Sequence, residues 1–282
     1  MELSSEKCIT IARQVKQHTY KIVALSAILR YIIPMLLDEI VQNKRQEVTG
    51  LKIPSSIEGL PKTRPFLSKD KFSLIAEIKK ASPSAGLIRP NFDPYSIAKA
   101  YEESGAAAIS VLTDEKYFQG KLEYIKQVKE ITTIPVLRKD FILNEAQVYE
   151  SRIAGADAIL LIVRILSEAE LSKLISLTEQ LGMQALVETH TAEEAKLAVK
   201  VGAKIIGINN RDLDTLKIDL RNTLAILKQV PELKDKIVIS ESGIKTNRDI
   251  QLLKNVGVNG VLIGETILKS DNIPAKIEEL ML

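Results

Sequence analysis

The sequence predicts an α/β protein, a (β/α)8 TIM barrel preceded by an N-terminal helical extension. Three observations support this fold class. The chain has 282 residues, which is close to the usual size of one such barrel. Short apolar segments alternate with helix-like segments after residue 72, as in a parallel sheet with helical crossovers. Polar residues end at least six of these apolar segments, at the end of the strands where this fold builds its sites.

The N-terminal part is predicted to be helical and to precede a single domain. We expect residues 1–34 to form an extension and residues 35–282 to form the barrel domain, with an extra amphipathic helix at 35–48. Residues 50–66 contain several Pro and Gly and are predicted to be a linker.

Residues 20–37 are apolar except for Lys21 and Arg30. The eight uncharged residues between these two are too few to span a bilayer, which takes about 20. We expect a packed segment and a cytoplasmic protein. A signal peptide or a plastid-targeting segment is the minority interpretation.

Eight apolar segments are predicted to be strands. Four of them follow a Gly-Ala or Gly-Val pair that ends a helix-like segment, and glycine suits the left-handed position after a helix. The strands are predicted at 72–79, 107–113, 134–140, 157–163, 183–189, 204–209, 236–243 and 259–264.

The intervening segments have helical spacing and helix-start signals. Residues 167–182 begin with a Ser-x-x-Glu capping box, and residues 191–202 and 246–257 begin with Thr. An open, doubly wound sheet is the alternative fold. The absence of Gly-x-Gly-x-x-Gly after the first strand counts against it.

The composition excludes several functional classes. Hydrophobic residues make up 45% and charged residues 27% of the chain, and the formal net charge is only +3. No basic block indicates nucleic-acid binding. A lone Cys8 excludes an internal disulfide, and two histidines, His18 and His190, make a multi-histidine metal site improbable on composition.

Charged and amide residues mark the predicted carboxyl ends of the strands. Because those ends meet at one mouth of a barrel, we expect the side chains to share a water-accessible site rather than to be buried without partners. Glu77 and Lys79 stand two residues apart on one face, so each offsets part of the other's desolvation. Lys139, on the third strand, is a second ammonium group directed into the same mouth.

Glycines after the last two strands indicate a phosphate site. Ser242-Gly243 follows the seventh strand and Gly264 ends the eighth. Loops at these two places form the common phosphate site of this fold, where backbone N–H groups approach the anion.

The motifs, taken together, resemble a known family. "AEIKKASPSAG", "LTDEKYFQG", "LRKDFI", "GADAILLIV", "LVET", "GINNRDL", "ISESGI" and "VLIGETIL" occur in the order and spacing of indole-3-glycerol phosphate synthases. The resemblance covers about residues 35 to 280. It implies ring closure of 1-(2-carboxyphenylamino)-1-deoxyribulose 5-phosphate with loss of CO2 and water, with no metal or cofactor.

The resemblance also implies roles for individual residues. Lys139 matches the general acid of ring closure, Glu188 and Lys79 match the proton-transfer residues of dehydration, Glu77 orients Lys79, and Asn209 positions Glu188. The residues implied for the substrate's carboxylate and other polar groups are Ser82, Arg211, Glu241 and Ser242. Those implied for the phosphate are Lys79, Gly243, Gly264 and Glu265.

Some features depart from the family pattern or remain open. Ala85 stands where the family often has Lys, and His190 is interpreted as a helix-entry residue. The rival functions are a phosphoribosyl isomerase-like barrel and a non-catalytic binding or scaffold barrel. The expected partner is a small phosphorylated molecule, with no nucleic acid or membrane, and the expected state is a monomer or weak homo-oligomer.

Overall fold

The predicted barrel is confirmed. A computed structural model describes residues 36–213 and 215–282 of the chain, so the predicted extension at 1–34 lies outside the described residues. Eight barrel strands are described, each with both ends within two residues of its predicted bounds: β1 Ser73–Ile78, β2 Ala108–Leu112, β3 Val136–Lys139, β4 Ala158–Ile162, β5 Gln184–Thr189, β6 Ile205–Asn209, β7 Ile237–Glu241 and β8 Gly260–Ile263.

The sheet closes on itself. All neighbouring strands are parallel, and β1 pairs both with β2 and with β8. Closure excludes the open, doubly wound alternative. The register places Glu77 of β1 beside Ser110 of β2 and Asn209 of β6 beside Glu241 of β7, so the polar strand ends lie at one level.

Helices follow the strands around the outside of the barrel. The long helices after β1 are α1 Pro94–Glu103, α2 Glu123–Ile131, α3 Glu145–Ala154, α4 Glu168–Gln180, α5 Ala192–Lys200, α6 Arg221–Gln229, α7 Asn247–Asn255 and α8 Ile273–Met281. The predicted capping box is present, because Ser167 Oγ accepts from the Glu170 N–H and the Ser167 N–H donates to Glu170. Gly155 after α3 has a φ of 95°, as predicted for the residue that ends a helix.

The barrel interior is a packed apolar core rather than a channel. Inward-facing aliphatic residues of the strands fill it, among them Ile75, Leu137, Leu186 and Ile239, each fully buried. A second and larger apolar cluster lies between the strands and the surrounding helices. The core thereby supports a rigid ring of strand ends on which side chains can be fixed.

The segment predicted to be a linker is packed against the barrel. Residues 51–72 contain no helix or strand, yet Phe66 is 3% exposed and joins the interior core. The Phe66 N–H donates to Gln184 Oε1 at 2.6 Å and the Arg64 N–H donates to Asp157 Oδ1 at 2.7 Å. The segment therefore closes the end of the barrel opposite the polar strand ends.

Two elements lie over the mouth of the barrel. Residues 36–47, here called the mouth helix, form the amphipathic helix that the sequence predicts. A short antiparallel pair, Ala81–Ser82 with Gly86–Leu87, follows β1. No helix among the described residues is long and apolar enough to cross a membrane.

Candidate active site

The predicted site residues all line one cavity. It lies at the carboxyl ends of the strands and has a volume of about 680 Å³. Its lining includes every residue that the sequence singles out, namely Glu77, Lys79, Ser82, Lys139, Glu188, Asn209, Arg211, Glu241, Ser242, Gly243, Gly264 and Glu265. The structure thus brings together residues that are as far apart in the sequence as 77 and 265.

Glu77 and Lys79 form an ion pair on one side of the cavity. Both residues end β1, two positions apart, so their side chains project to the same face. The Lys79 ammonium donates to Glu77 Oε1, and Glu77 is 2% exposed. A buried carboxylate on an otherwise apolar strand is tolerated because this lysine compensates its charge.

Lys139 lies between two carboxylates at the floor of the cavity. Its Nζ is 3.1 Å from Glu188 Oε2 and 2.8 Å from Glu241 Oε2. Burial alone would lower the pKa of Lys139, but the charges of Glu241 and Glu188 outweigh burial and raise that pKa above its usual value. Lys139 is therefore an ammonium group and can donate a proton.

Glu241 is the least well compensated carboxylate of this group. It is 1% exposed, and burial raises its pKa to about 7 although Lys139 opposes that shift. Its Oε1 has no hydrogen-bond partner among the described residues and would lie 2.1 Å from a Cβ at position 207, where the chain has Gly207. Its carboxylate contacts Lys139, and its contact with substrate stays a prediction.

Glu188 receives donors on both oxygens. Asn209 Nδ2 donates to Glu188 Oε1 at 3.2 Å, which is the contact expected from the resemblance. His190 Nε2 is 3.2 Å from the same oxygen, within ion-pair distance but outside hydrogen-bond alignment. Burial would raise the pKa of Glu188, but Lys139 and His190 lower it well below its usual range, so Glu188 is ionised.

His190 is more than a helix-entry residue. Its N–H does donate to Glu194 at the start of α5, but its ring is only 8% exposed and faces Glu188. Sequence reasoning interpreted His190 only as a helix-entry residue, because nothing in the sequence supported a catalytic geometry for its ring. The signal that could have found it is the two-residue spacing from Glu188, which puts both side chains on one face.

The loops after β7 and β8 also line the cavity, next to the end of β1, with which β8 pairs. Ser242 has a φ of 67° and Gly243 a φ of 86°, and a non-glycine residue in the left-handed region is characteristic of functional sites. A Cβ at Gly264 would lie 2.6 Å from Glu77 Oε1. Glycine at 264 is therefore required by the packing of Glu77, whatever its contact with an anion.

Three lysines that sequence reasoning did not single out lie on the same side as these loops. Lys245, Lys269 and Lys276 line the cavity, and the latter two also contact Glu265 and Glu279. They add positive charge to the region predicted for the phosphate.

An apolar wall faces the polar floor. The mouth helix and the loops contribute its side chains. Sequence reasoning assigned them no role, although Phe118, Phe141 and Leu213 stand in the quoted motifs. The lining residues are Leu36, Leu37, Ile40, Phe118, Phe141, Leu213, Leu216 and Ile218. A cavity with a charged floor and an apolar wall fits a ligand that has both ionic groups and a flat apolar part. Ser82 and Arg211 lie at its rim.

A buried ion cluster fixes the mouth helix to the barrel. The Lys44 side chain is 0% exposed, and its Nζ is 2.9 Å from Asp140 Oδ1, 3.1 Å from Asp114 Oδ2 and 3.0 Å from Glu47. Burial would raise the pKa of Asp140, but Arg138 and Lys44 lower it to about 2. Asp140 directly follows Lys139, so the cluster couples the mouth helix to the strand that carries the central lysine.

Nothing in the described part of the chain resembles a metal centre, since no group of three or more His, Cys, Asp or Glu is placed to hold an ion. The ammonium and carboxylate groups of the site can transfer protons, and its lysines complement the charge of an anionic ligand.

Comparisons with known proteins identify the family of this chain. The family model for indole-3-glycerol phosphate synthase matches residues 37–280. The indole-3-glycerol phosphate synthase of Desulforamulus reducens is 46% identical over 88% of this chain and 97% of its own. That of Caldanaerobacter subterraneus is 49% identical over 84% of this chain and 94% of its own.

A solved structure supports the fold alone. A 3-hexulose-6-phosphate synthase superposes with a TM-score of 0.60 at 17% identity, covering 74% of this chain and 98% of its own. The family match, which spans most of the chain and every strand of the barrel, decides the relationship. The chain belongs to the indole-3-glycerol phosphate synthase family.

Proposed function

We propose that this chain converts 1-(2-carboxyphenylamino)-1-deoxyribulose 5-phosphate into indole-3-glycerol phosphate, CO2 and water, as a lyase of tryptophan biosynthesis. Support comes from the family match and from one feature of the site, the Lys139 ammonium held between Glu188 and Glu241 at the floor of the cavity. The substrate has an anionic phosphate, an aryl carboxylate and a flat ring, and the cavity offers cations, polar rim groups and an apolar wall.

Lys139 acts first in this proposal. The ring carbon that carries the carboxylate attacks the ketone carbon of the sugar chain, and Lys139 donates its proton to the ketone oxygen, which becomes a hydroxyl. The carboxylate then leaves as CO2, and its bonding electrons restore the aromatic ring. General acid catalysis of this kind contributes about 10²–10⁴-fold.

Glu188 and Lys79 serve the dehydration. One of them donates a proton to the departing hydroxyl and the other removes a proton from the adjacent carbon, which forms the double bond of the indole. Which of the two donates stays open. Glu77 holds Lys79 through their ion pair, and Asn209 holds Glu188 through its amide.

The remaining predicted residues bind the substrate in this proposal. Ser82 and Arg211 lie at the rim, in reach of the aryl carboxylate, and Ser242 and Glu241 face the other polar groups. Gly243, Gly264, the Glu265 backbone and Lys79 surround the phosphate. The reaction as written forms one carbon–carbon bond and breaks a carbon–carbon and a carbon–oxygen bond, so it balances without an oxidant or a reductant.

The organisation of the protein is part of the proposal. We infer a single catalytic domain at 35–282 with residues 1–34 as an extension, acting in the cytoplasm as a monomer or weak homo-oligomer. The family model starts at residue 37, which supports the boundary. Sedimentation velocity on the full chain tests the oligomeric state.

The proposed activity is tested with the purified full chain and the synthetic substrate. Fluorescence follows the indole product, and trapped ¹⁴CO2 from carboxyl-labelled substrate gives the second product. We expect one CO2 per indole-3-glycerol phosphate. Lys116→Met, which changes an exposed lysine outside the cavity, is the matched control and should match the wild type. A folded wild-type protein that forms no product above a blank would contradict the proposal.

A further inference from the structure

His190 is a buried ionisable group to which the proposed reaction assigns no role. Its ring lies between two carboxylates: Nε2 is 3.2 Å from Glu188 Oε1, and Nδ1 is 3.3 Å from Glu194 Oε2. Glu188 belongs to the cavity, whereas Glu194 lies in the first turn of α5, behind it. The ring therefore connects the floor of the site to the helix that follows β5.

Both ring nitrogens face acceptors, which determines the charge of the ring. A neutral imidazole has one donor and one acceptor nitrogen, so only the imidazolium can donate toward both carboxylates. Burial lowers the pKa of His190, but Glu188 and Glu194 raise it to about 9. Among the described residues, these two carboxylates are the charged groups in direct contact with the ring, and Lys139 acts on it only through Glu188.

The backbone at His190 is also fixed. Its N–H donates to Glu194 Oε2 at 2.6 Å, and its carbonyl accepts from Asn222 Nδ2 at 3.1 Å. Asn222 donates to the Asn209 carbonyl as well, at 3.1 Å. The same amide therefore ties together the residues that contact Glu188 from β5 and β6.

Glu188 has a cation on each side. Lys139 lies 3.1 Å from its Oε2 and His190 lies 3.2 Å from its Oε1. When Lys139 gives its proton to the ketone, it becomes neutral and no longer compensates the carboxylate. A buried carboxylate that loses its partner charge tends to take up a proton, and a protonated Glu188 could not remove the proton from the adjacent carbon in the dehydration.

We propose that His190 is a cationic positioning residue for Glu188, which keeps this carboxylate ionised and oriented while Lys139 changes its charge. The inference rests on the proposed function, because it assumes that Lys139 is the acid of ring closure and that Glu188 then acts as the base of the dehydration, with Lys79 as the donor. His190 does not contact the substrate in this account.

The first test measures the protonation state of His190 directly and does not depend on enzyme activity. The chain has two histidines, His18 and His190, so a His18→Gln variant of the full chain gives one imidazole in histidine-labelled ¹⁵N NMR spectra. We expect the imidazolium pattern at pH 7.5, with a transition near pH 9. A transition near pH 6.5 would overturn the proposal even if the enzyme proved fully active.

The second test compares His190→Gln with the wild type across pH. Gln keeps a polar donor and the shape of the site but carries no charge. Removing the positive charge beside a buried carboxyl raises its pKa, so a smaller fraction of Glu188 should be ionised at pH 7. We expect about a tenfold fall in kcat with little change in KM. The acid limb of the kcat profile should move toward neutral pH.

Two matched variants distinguish an effect of the charge on His190 from a purely structural role of its ring. Glu194→Gln keeps His190 but removes one of its carboxylates, so activity should be retained at pH 6.5 and lost on the alkaline side. Glu193→Gln changes an exposed neighbour on the same helix and should match the wild type at every pH. A His190→Gln enzyme with wild-type kcat and an unshifted pH profile would show that the ring is only structural.

Discussion

Replacing Lys44 with Met should loosen the mouth helix at a measurable cost in stability. Lys44 is fully buried, with three carboxylates within 3.1 Å of its Nζ. Met preserves most of the side chain's bulk and removes the charge. Asp140 and Asp114, both nearly inaccessible to solvent, would then be left in a site that has lost its ammonium group.

The expected magnitude follows from that burial. Removing one partner of a buried ion pair typically costs about 3–5 kcal/mol, because the other charge stays buried and uncompensated. Asp140 keeps Arg138 at 3.1 Å, so the lower end, ~3 kcal/mol, is the appropriate estimate. At about 2 °C or more per kcal/mol for a chain of this size, Tm should fall by roughly 6 °C.

The pH dependence of the free energy of unfolding provides an independent test of the ion cluster. The pKa of Asp140 is lowered from 3.8 to about 2, so the stability that its ion pairs provide is present above pH 4 and is lost as pH falls toward 2. The difference in stability between wild type and Lys44→Met should therefore shrink over that interval.

Thermal and urea unfolding of Lys44→Met and Lys116→Met measure the effect. Lys116 also contacts the mouth helix, 3.8 Å from Glu39 and 3.1 Å from Asn43, but at an exposed position, where an ion pair is worth about 0–1 kcal/mol. Hydrogen exchange over residues 36–47 shows whether the loss is local to the helix. Equal Tm values for the two variants, with equal exchange in the helix, would refute the reasoning.

Three further results are expected. Gly264→Ala should lower kcat as well as raise KM, because its Cβ would displace the Glu77 carboxylate; steady-state kinetics showing a change in KM alone would favour a purely phosphate-binding role. Lys79→Met should also change both parameters, since Lys79 is assigned both to the phosphate and to the dehydration; an unchanged KM for phosphorylated substrate would remove it from the phosphate site. A chain that lacks residues 1–30 should keep near wild-type kcat, because no barrel motif lies there and the family model begins at 37; a large loss of kcat with circular dichroism unchanged would contradict this.

The eight strands were predictable because each is a short apolar segment that lies between recognisable helix ends and helix starts. Gly155 and its equivalents mark where helices end, and the Ser167 capping box marks where one begins. The polar strand ends were predictable as one site because the topology of a barrel brings them together. The alternation of strands and helices along the chain was therefore sufficient to predict both the barrel and the location of its site.

Contacts between distant segments were not predictable from pattern. Lys44 lies on an amphipathic helix where its sequence neighbours are charged and exposed, so nothing local shows that Asp114 and Asp140 bury it. Phe66 lies in a Pro-rich segment that resembles a linker, and only the tertiary structure shows that it fills the end of the barrel. The role of His190 likewise depends on the position of Glu194, one turn into the next helix.

The central claim is that Lys139 is the acid that drives ring closure, and kcat of Lys139→Met tests it most directly. Lys139 is expected to donate its proton only in the transition state, so its loss should appear in kcat rather than in binding. The account predicts a fall in kcat of about 10²–10⁴-fold, while a non-cyclising substrate analogue binds as it does to the wild type and Tm shows a folded protein. A folded Lys139→Met enzyme with near wild-type kcat would mean that the acid lies elsewhere.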